Sequence, residues 1–164
     1  MTMRPAGRVP EGTVETILSY CHATLQDDTI DKIVPYLQQK GIGIVAASAL
    51  SMGLLSNRGP PDWHPAPKEV RETCAKAAAH AKSNGISIER LAIQHAFQKQ
   101  SVSTVLIGMA TPEEVKQNVK AALEALGKLE NPNKVKEEKM MEEVKEILKP
   151  VHNQTWEVGR PENN

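Results

Sequence analysis

The stretch GIGIVAASALSMG, residues 41–53, decides the fold because it is a nearly unbroken apolar run between glycines. Apolar runs without polar alternation are typical of parallel strands that helices cover on both faces. We therefore predict a strand at residues 42–48, buried on both faces. Gly41 and Gly43 precede this strand, whereas a dinucleotide fingerprint needs its glycines between a strand and a helix, so they do not form that motif.

Two further segments of β-type composition lie on either side of this run. The first, residues 14–20, is β-branched and aromatic in bias and follows the turn-like Pro10-Glu11-Gly12. The second, residues 102–108, is centred on Val105-Leu106-Ile107. Both segments predict strands, which makes three predicted strands in the chain.

The segments between and after the strands repeat apolar residues at helical spacing. Pro35 must kink the first of these helices or shift its start, since proline removes an amide donor and clashes with the preceding turn. Thr111 and Glu114 flank Pro112 in the pattern of a capping box, which marks where the fourth helix begins. Helices are predicted at residues 30–40, 68–83, 88–96, 112–126 and 134–148, the last as a charged surface helix.

Strand and helix patterns alternate along the chain. This order predicts an α/β fold in which parallel strands are joined by crossover helices. Three strands leave two unpaired sheet edges and one poorly covered face, so we expect part of the sheet to be missing from this chain.

Composition restricts the class of protein. The 164 residues are 40% apolar, enough for one domain, with residues 1–10 as an unrelated or disordered leader, 11–150 as the folded unit and 151–164 as a tail. The 20 basic and 20 acidic side chains cancel, so neither nucleic acid nor a membrane is an expected partner. The 2 cysteines make no disulfide framework, and no stretch fits a membrane span or signal peptide, which favours a cytoplasmic location.

Few residues have the spacing of a catalytic or metal site. Cys74 and His80 fall on different faces of one predicted helix, which excludes a pair of metal ligands. Cys21 and His22 are neighbours at a strand end and point to opposite faces, so a buried thiol is favoured over a nucleophile and its base. The loop segment Asp62-Trp63-His64 is predicted to be exposed.

Two loops leave the carboxyl ends of predicted parallel strands, where ligands bind in α/β folds. One comprises residues 48–53, and the other, residues 108–111, presents the amides of a helix N-terminus, which suit a phosphate. A well-capped helix without a ligand explains the second loop equally well, and the Glu114 carboxylate would repel a phosphate. The two loops together suggest one shared ligand.

Four segments carry a resemblance to a known family. They are ILSYCH at residues 17–22, IVAASALSMGLL at 44–55, GPPDWHPA at 59–66, and VLIGM at 105–109 leading into VKQN at 115–118. These segments resemble the aldo-keto reductases, most closely the L-galactose dehydrogenase type within that family. The resemblance runs from about Val9 to Arg160.

The resemblance implies a TIM barrel of the (β/α)8 type, of which residues 11–150 supply the C-terminal half with strands six, seven and eight. Members of the family transfer hydride between NAD or NADP and a carbonyl or alcohol, helped by a Tyr, Lys, Asp and His set in the first half of the barrel. None of those four positions exists in this chain. We therefore predict no catalytic residue and expect the chain alone to be inactive.

By the same resemblance, a nicotinamide cofactor binds along the two loops. Ser48, Leu50 and Met52 are expected under its pyrophosphate, while Tyr20 and Trp63 line the substrate pocket. Where many NADP-using relatives carry a Lys and an Arg, this chain has Gly108 and Glu114, which favours NAD over NADP. The residues expected around the adenosine end are Gly108, Met109, Ala110, Glu114, Gln117 and Asn118.

Three functions remain open from the sequence. The first is an NAD-linked oxidoreductase of a small sugar or aldehyde, of which this chain is a truncated form without the catalytic half. The second is a non-catalytic nucleotide-binding or interaction module, and the third is a helical scaffold without a ligand. The unpaired strand edges predict self-association.

Overall fold

The computed structural model describes residue 10 and residues 12–157, so most of the predicted leader lies outside the described residues. The strands are β1 (Thr16–Tyr20), β2 (Gly43–Ala47) and β3 (Thr104–Leu106). They form one parallel sheet in the order β1-β2-β3, with helices along the connections. The predicted α/β fold with three parallel strands and surrounding helices is confirmed.

Each strand is shorter than the apolar run that predicts it. β2 ends at Ala47 because Ser48 takes a left-handed φ of 62°, which turns the chain out of the sheet. β3 ends at Leu106, which pairs with that same Ala47, so the ladder stops where its partner turns away.

The helices follow the predicted pattern, with one shifted start. Helix α1 (Val34–Gln39) has Pro35 in its first turn, and the residues before it form a separate 3-10 turn at Thr29–Lys32. The proline therefore shifts the helix start, as the sequence predicts. The other helices are α2 (Lys68–Ser83), α3 (Ile88–Gln98), α4 (Pro112–Ala125) and α5 (Lys134–Leu148), with 3-10 turns at Ser51–Gly53 and Lys149–Val151.

The main hydrophobic core lies among α2, α3 and α5. Val70 and Cys74 of α2 meet Leu91 of α3 in this cluster, and all three side chains are fully buried. The prediction of a charged surface helix at residues 134–148 holds only for the outer face of α5. Its inner face buries Met140, Met141, Val144 and Leu148.

The segment that follows α5 packs back onto this core. Val151 is buried within it, and Trp156 packs against it. The side-chain amide of Gln26 donates to the carbonyls of Val151 and Gln154, both at 2.9 Å. Residues 151–157 are therefore tied to the loop that follows β1.

A second, smaller core lies under one face of the sheet. Ile44 and Ala46 of β2 are buried there with Leu37 of α1. On the opposite face, Leu18 of β1 is 50% exposed and Leu106 of β3 is 47% exposed. The prediction that β2 is buried on both faces is wrong, because only one face of the sheet packs into a described hydrophobic cluster.

Candidate functional site

The candidate site lies at the carboxyl edge of the sheet, where the parallel strands end together. Tyr20 of β1 pairs with Ala47 of β2, which pairs in turn with Leu106 of β3. Beyond β1, the Cys21 amide donates to the Ala47 carbonyl at 3.1 Å and continues the pairing by one residue. Because ligands bind outside this edge in α/β folds, the loops after β2 and β3 lie side by side where a ligand is expected.

The loop after β2, residues 48–53, is called the β2 loop below. Ser48, Ser51 and Met52 have left-handed φ angles of 62°, 48° and 55°. This backbone costs a non-glycine residue roughly 1–2 kcal/mol, so the loop needs compensating contacts. Two are internal, since the Ser51 amide donates to the Ser48 carbonyl at 2.8 Å and the Met52 amide donates to Ser48 Oγ at 2.9 Å.

Gly53 closes the β2 loop against the following segment. Its φ is +96°, and a Cβ at this position would lie 3.2 Å from the Gly59 carbonyl oxygen and 3.3 Å from Pro60 Cα. Both the backbone conformation and the space therefore require glycine. The loop is fixed at its end as well as at its centre.

His64 lies beneath the β2 loop and is only 1% exposed. Its Nε2 lies 3.1 Å from the Ser51 carbonyl oxygen, and its Nδ1 accepts the Ala66 amide at 3.0 Å. Burial lowers the pKa of His64 below its ordinary value of 6.5. The prediction that residues 62–64 are all exposed is therefore wrong for His64, because its ring is buried by hydrogen bonds to the Ser51 carbonyl and from the Ala66 amide.

The two residues expected in the substrate pocket are both accessible. Tyr20 ends β1 on the open face of the sheet and is 44% exposed, while Trp63 is 71% exposed. The indole ring of Trp63 stacks beside the His64 ring with 6.5 Å between centroids. Neither aromatic side chain is committed to a hydrophobic core.

The loop after β3 enters α4 through a complete capping box. Thr111 Oγ1 accepts the Glu114 amide at 3.1 Å. The Glu114 carboxylate accepts the Ala110 amide at 2.6 Å and the Thr111 amide at 3.3 Å. Of the two interpretations of this loop, the structure shows the well-capped helix, and a phosphate at these amides would have to displace Glu114.

The remaining expected contacts lie on α4 and before it. Gly108 and Met109 are exposed at the strand edge. Gln117 is exposed on α4, where its side-chain amide donates a hydrogen bond to Glu113 at 2.9 Å. Asn118 is half-buried, and with Gln117 it lines a cleft of about 390 Å³ between the start of α3, the outer part of α4 and the segment that leads into α5. The adenosine residues named from sequence thus divide between the strand edge and this cleft.

A model of the Aldo/keto reductase family matches residues 13–136, which include all three strands of the sheet. The chain belongs to this family. Its three parallel strands and surrounding helices correspond to part of an α/β barrel, which explains the open sheet face and edges.

Three curated relatives of this aldo/keto reductase chain are sugar dehydrogenases by name. L-galactose dehydrogenase from Arabidopsis thaliana is 44% identical over 158 residues, covering 95% of this chain and 47% of the relative. D-arabinose 1-dehydrogenase from Saccharomyces cerevisiae is 27% identical over 162 residues, covering 92% of this chain and 46% of the relative. D-threo-aldose 1-dehydrogenase from a Pseudomonas species is 28% identical over 109 residues, covering 63% and 33%. The chain spans about half the length of the first two relatives.

Both cysteines of this aldo/keto reductase chain are buried thiols. Burial raises the pKa of the Cys21 thiol to about 11, despite a hydrogen bond with Ser48. Burial likewise raises the pKa of Cys74 to about 12. His22 pairs with Asp27 at 3.0 Å, so the interpretation of Cys21 as a buried thiol is confirmed.

Two polar clusters were missed by sequence reasoning because their members lie far apart in the chain. Asp28 contacts His95 at 3.1 Å and Lys99 at 2.8 Å. Burial alone would raise the pKa of Asp28, but these two partners hold it well below its ordinary value. Arg90 of α3 donates to Glu137 of α5, from Nε at 2.7 Å and Nη2 at 3.0 Å, and also to Glu124 of α4. Both clusters join separate elements.

Residues 12–157 contain neither a metal-binding cluster nor a membrane-spanning helix. No group of three or more His, Cys, Asp or Glu side chains there is arranged to hold a metal ion. No helix in this part of the chain is long and apolar enough to cross a membrane.

Proposed function

We propose that this chain supplies the cofactor-binding part of an NAD-dependent oxidoreductase, which transfers hydride between a small sugar or aldehyde and the nicotinamide. The observation that carries the proposal is the β2 loop, whose left-handed conformation is fixed by its own hydrogen bonds at the carboxyl edge of the sheet. A preorganised loop at this edge is suited to the pyrophosphate of a dinucleotide.

In this proposal the cofactor lies across the ends of β2 and β3. Ser48, Leu50 and Met52 contact the pyrophosphate in this proposal, because they lie on the β2 loop, whose conformation is held by its own hydrogen bonds at the strand edge. The adenosine end extends over the loop after β3 toward the cleft beside α4. Its proposed contacts are Gly108, Met109, Ala110, Glu114, Gln117 and Asn118.

The choice of NAD over NADP rests on the charge near α4. Gly108 offers no cation, and the Glu114 carboxylate is held at the start of the helix by its bonds to the Ala110 and Thr111 amides. An extra phosphate on the ribose would meet this anion without a cationic partner, so NADP should bind less well than NAD.

The substrate class is proposed from the relatives' names together with the exposed aromatic side chains. Dehydrogenases named for L-galactose, D-arabinose and D-threo-aldose all act on sugars by name. Tyr20 and Trp63 offer accessible aromatic surface on which the apolar faces of a sugar can pack. We place the protein in the cytoplasm, where a nicotinamide cofactor and free sugars are both available.

Oxidation of a sugar moves a hydride from the carbinol carbon to the nicotinamide and the hydroxyl proton to a base. The β2 loop and residues 108–111 contain no titratable side chain that accepts this proton. Tyr20 ends β1 at this edge, but neither loop carries a lysine to pair with it, and Tyr36 lies on α1 and not at a strand end. The acid–base groups are therefore proposed to lie in polypeptide outside this chain, and the chain alone should not turn over substrate.

The lack of a tyrosine–lysine pair at the edge also favours a second candidate, a non-catalytic nucleotide-binding or interaction module. In both candidates the open apolar face, with Leu18 on β1 and Leu106 on β3, is covered by another polypeptide or by a second copy. The two candidates differ in whether the completed assembly oxidises a sugar.

Fluorescence titration of the full 164-residue chain with NADH, with a matched pair of glycine variants, tests cofactor binding. Gly53→Ala places a Cβ against Gly59 and Pro60 and should abolish binding, because the β2 loop must open. Gly85→Ala meets a similar positive φ of +71° with open space around it, so it should cost stability and leave binding intact. Equal binding by both variants would contradict the placement of the cofactor.

A further inference from the structure

The peptide group between Ser51 and Met52 is clamped at both ends. Its carbonyl oxygen, on Ser51, faces His64 Nε2 at 3.1 Å. Its amide, on Met52, donates to Ser48 Oγ at 2.9 Å. Because both residues are left-handed, the orientation of this one peptide plane sets the conformation of the whole β2 loop.

The partners of His64 define its protonation state. The Ser51 carbonyl only accepts, so Nε2 must carry the proton that it donates. The Ala66 amide only donates, so Nδ1 must hold a free lone pair. A second proton on the ring would break the contact with Ala66, which means that only the neutral ring with Nε2 protonated satisfies both neighbours.

Two further elements hold His64 in place. Arg71 of α2 donates to the His64 carbonyl, and the Trp156 ring lies edge-on to the imidazole with 5.0 Å between centroids. Among the described residues, Arg71 is the charged group that faces His64, and its charge, after burial, further lowers the pKa of the imidazole. His64 therefore links the β2 loop to α2 and to the segment after α5.

We propose that neutral His64 is a positioning residue for the cofactor, which holds the Ser51–Met52 peptide in the orientation that receives the pyrophosphate. This inference rests on the proposed function of the β2 loop as a cofactor site. A proton on Nδ1 would set its N–H against the Ala66 amide and displace the ring, which would also break the Nε2 bond to Ser51. Cofactor binding should therefore weaken as the pH falls below the range in which the imidazole stays neutral.

Three variants separate the two hydrogen bonds of His64. His64→Gln places an amide donor near the position of Nε2 and keeps the bond to Ser51 without a titrating group. His64→Asn places an acceptor near the position of Nδ1 and keeps only the bond from Ala66. His64→Phe fills the space and keeps neither bond, while His80→Gln, on the far α2–α5 contact with Glu143, is the matched control.

The first readout is amide hydrogen exchange of residues 48–55 in the full chain without cofactor, followed by mass spectrometry. His64→Phe and His64→Asn should exchange about tenfold faster in this segment than wild type, while His64→Gln and His80→Gln should not. Loop exchange in His64→Phe equal to that of wild type would overturn the inference, whatever the cofactor does.

The second readout is NADH affinity between pH 7.5 and 5.5. Wild type and His80→Gln should keep their affinity down to pH 6.5, because burial lowers the pKa of His64, and should lose it only below that pH, with faster loop exchange over the same range. The affinity and the loop exchange of His64→Gln should not change with pH. A pH profile of His64→Gln that follows wild type would overturn the inference.

Failures of the two proposals give different results. If wild type does not bind NADH but its loop exchange responds to His64 as described, the proposed function fails and the clamp on the loop stands. If wild type binds NADH and all three His64 variants bind equally well, the inference fails and the proposed function stands. If His64→Phe does not fold, the test uses wild type and His64→Gln alone. Exchange of residues 48–55 that speeds up at low pH in wild type and not in His64→Gln supports the role of the ring, and equal pH dependence in both overturns it.

Discussion

The Glu114 carboxylate occupies two backbone amides at the start of α4, and it is also the anion closest in sequence to the expected adenosine site. Glu114→Arg removes an anion and supplies a cation where an extra ribose phosphate would lie. We predict that the ratio of NADPH to NADH affinity rises by about tenfold, the effect of one charge-assisted contact. Fluorescence titrations with the two reduced cofactors measure this ratio.

The control for this prediction is Glu113→Arg, which makes the same change of charge one residue earlier. Glu113 accepts a hydrogen bond from Gln117 and takes no part in the capping box. Its replacement should leave the ratio of affinities nearly unchanged. An equal shift in both variants would mean that general charge, and not the position of Glu114, sets the preference.

Residue-level features were predictable where their partners are close in sequence. The capping box of Thr111 and Glu114 follows from a spacing of three residues, and the structure contains it. The burial of His64 was not predictable, because its ring binds Ser51, which lies 13 residues earlier in a separate loop. No local pattern signals such a contact.

At the scale of elements, the contacts of Arg90 join α3 to α4 and α5. Arg90→Met leaves the buried Glu137 carboxylate without a cation and leaves buried Glu124 only Lys120 at 4.0 Å, so it should destabilise the fold by about 3–5 kcal/mol at pH 7. Urea unfolding followed by circular dichroism measures this loss. The exposed pair Lys134 and Glu138 supplies the control, since Lys134→Met should cost less than about 1 kcal/mol.

The free energy of unfolding of Arg90→Met should change with pH in the opposite direction to that of wild type. Burial would raise the pKa of Glu137, but hydrogen bonds from Arg90, Gln94 and Asn131 hold it below 4.5. In wild type, ionised Glu137 therefore stabilises the fold above about pH 4.5, and this stabilisation is lost as the pH falls through the lowered pKa of Glu137 in the folded state. In Arg90→Met the buried carboxylates can protonate, so the deficit against wild type should shrink between pH 7 and pH 5. A constant deficit would argue against charge burial as its cause.

Helices were predicted more closely than strands, for a physical reason. The bounds of α2 and α5 equal the predicted ranges, because caps and apolar periodicity are local properties of the sequence. The bounds of β2 and β3 depend on where a partner strand turns away, as at Ser48. The expectation that β2 is buried on both faces failed for the same reason. An apolar run predicts that a strand can be covered on both faces, but it does not show whether helices or strands are present to cover each face.

At the scale of the whole molecule, the sheet has one open face with exposed apolar side chains. Leu18 and Leu106 are each about half exposed on this face, where a complete barrel would bury them. The purified chain should therefore self-associate, and the double variant Leu18→Lys with Leu106→Lys should shift it toward monomer. Multi-angle light scattering after gel filtration measures the mass of each species.

Val135 supplies the control for this prediction, because it is 81% exposed on α5 and lies outside the described hydrophobic clusters. Val135→Lys should leave the degree of association unchanged. A wild-type chain that is monomeric at all concentrations would contradict the role assigned to the open face.

The central claim is that this chain carries the cofactor-binding loops of an aldo/keto reductase without the acid–base groups that hydride transfer requires. It is tested most directly by a dehydrogenase assay on the purified chain with NAD and L-galactose, in which the formation of NADH is measured. General acid–base help contributes roughly 10² to 10⁴ in rate, so we predict no NADH formation above the protein-free background, even when a parallel titration shows that NADH binds. Robust turnover by a stable monomer would contradict the claim.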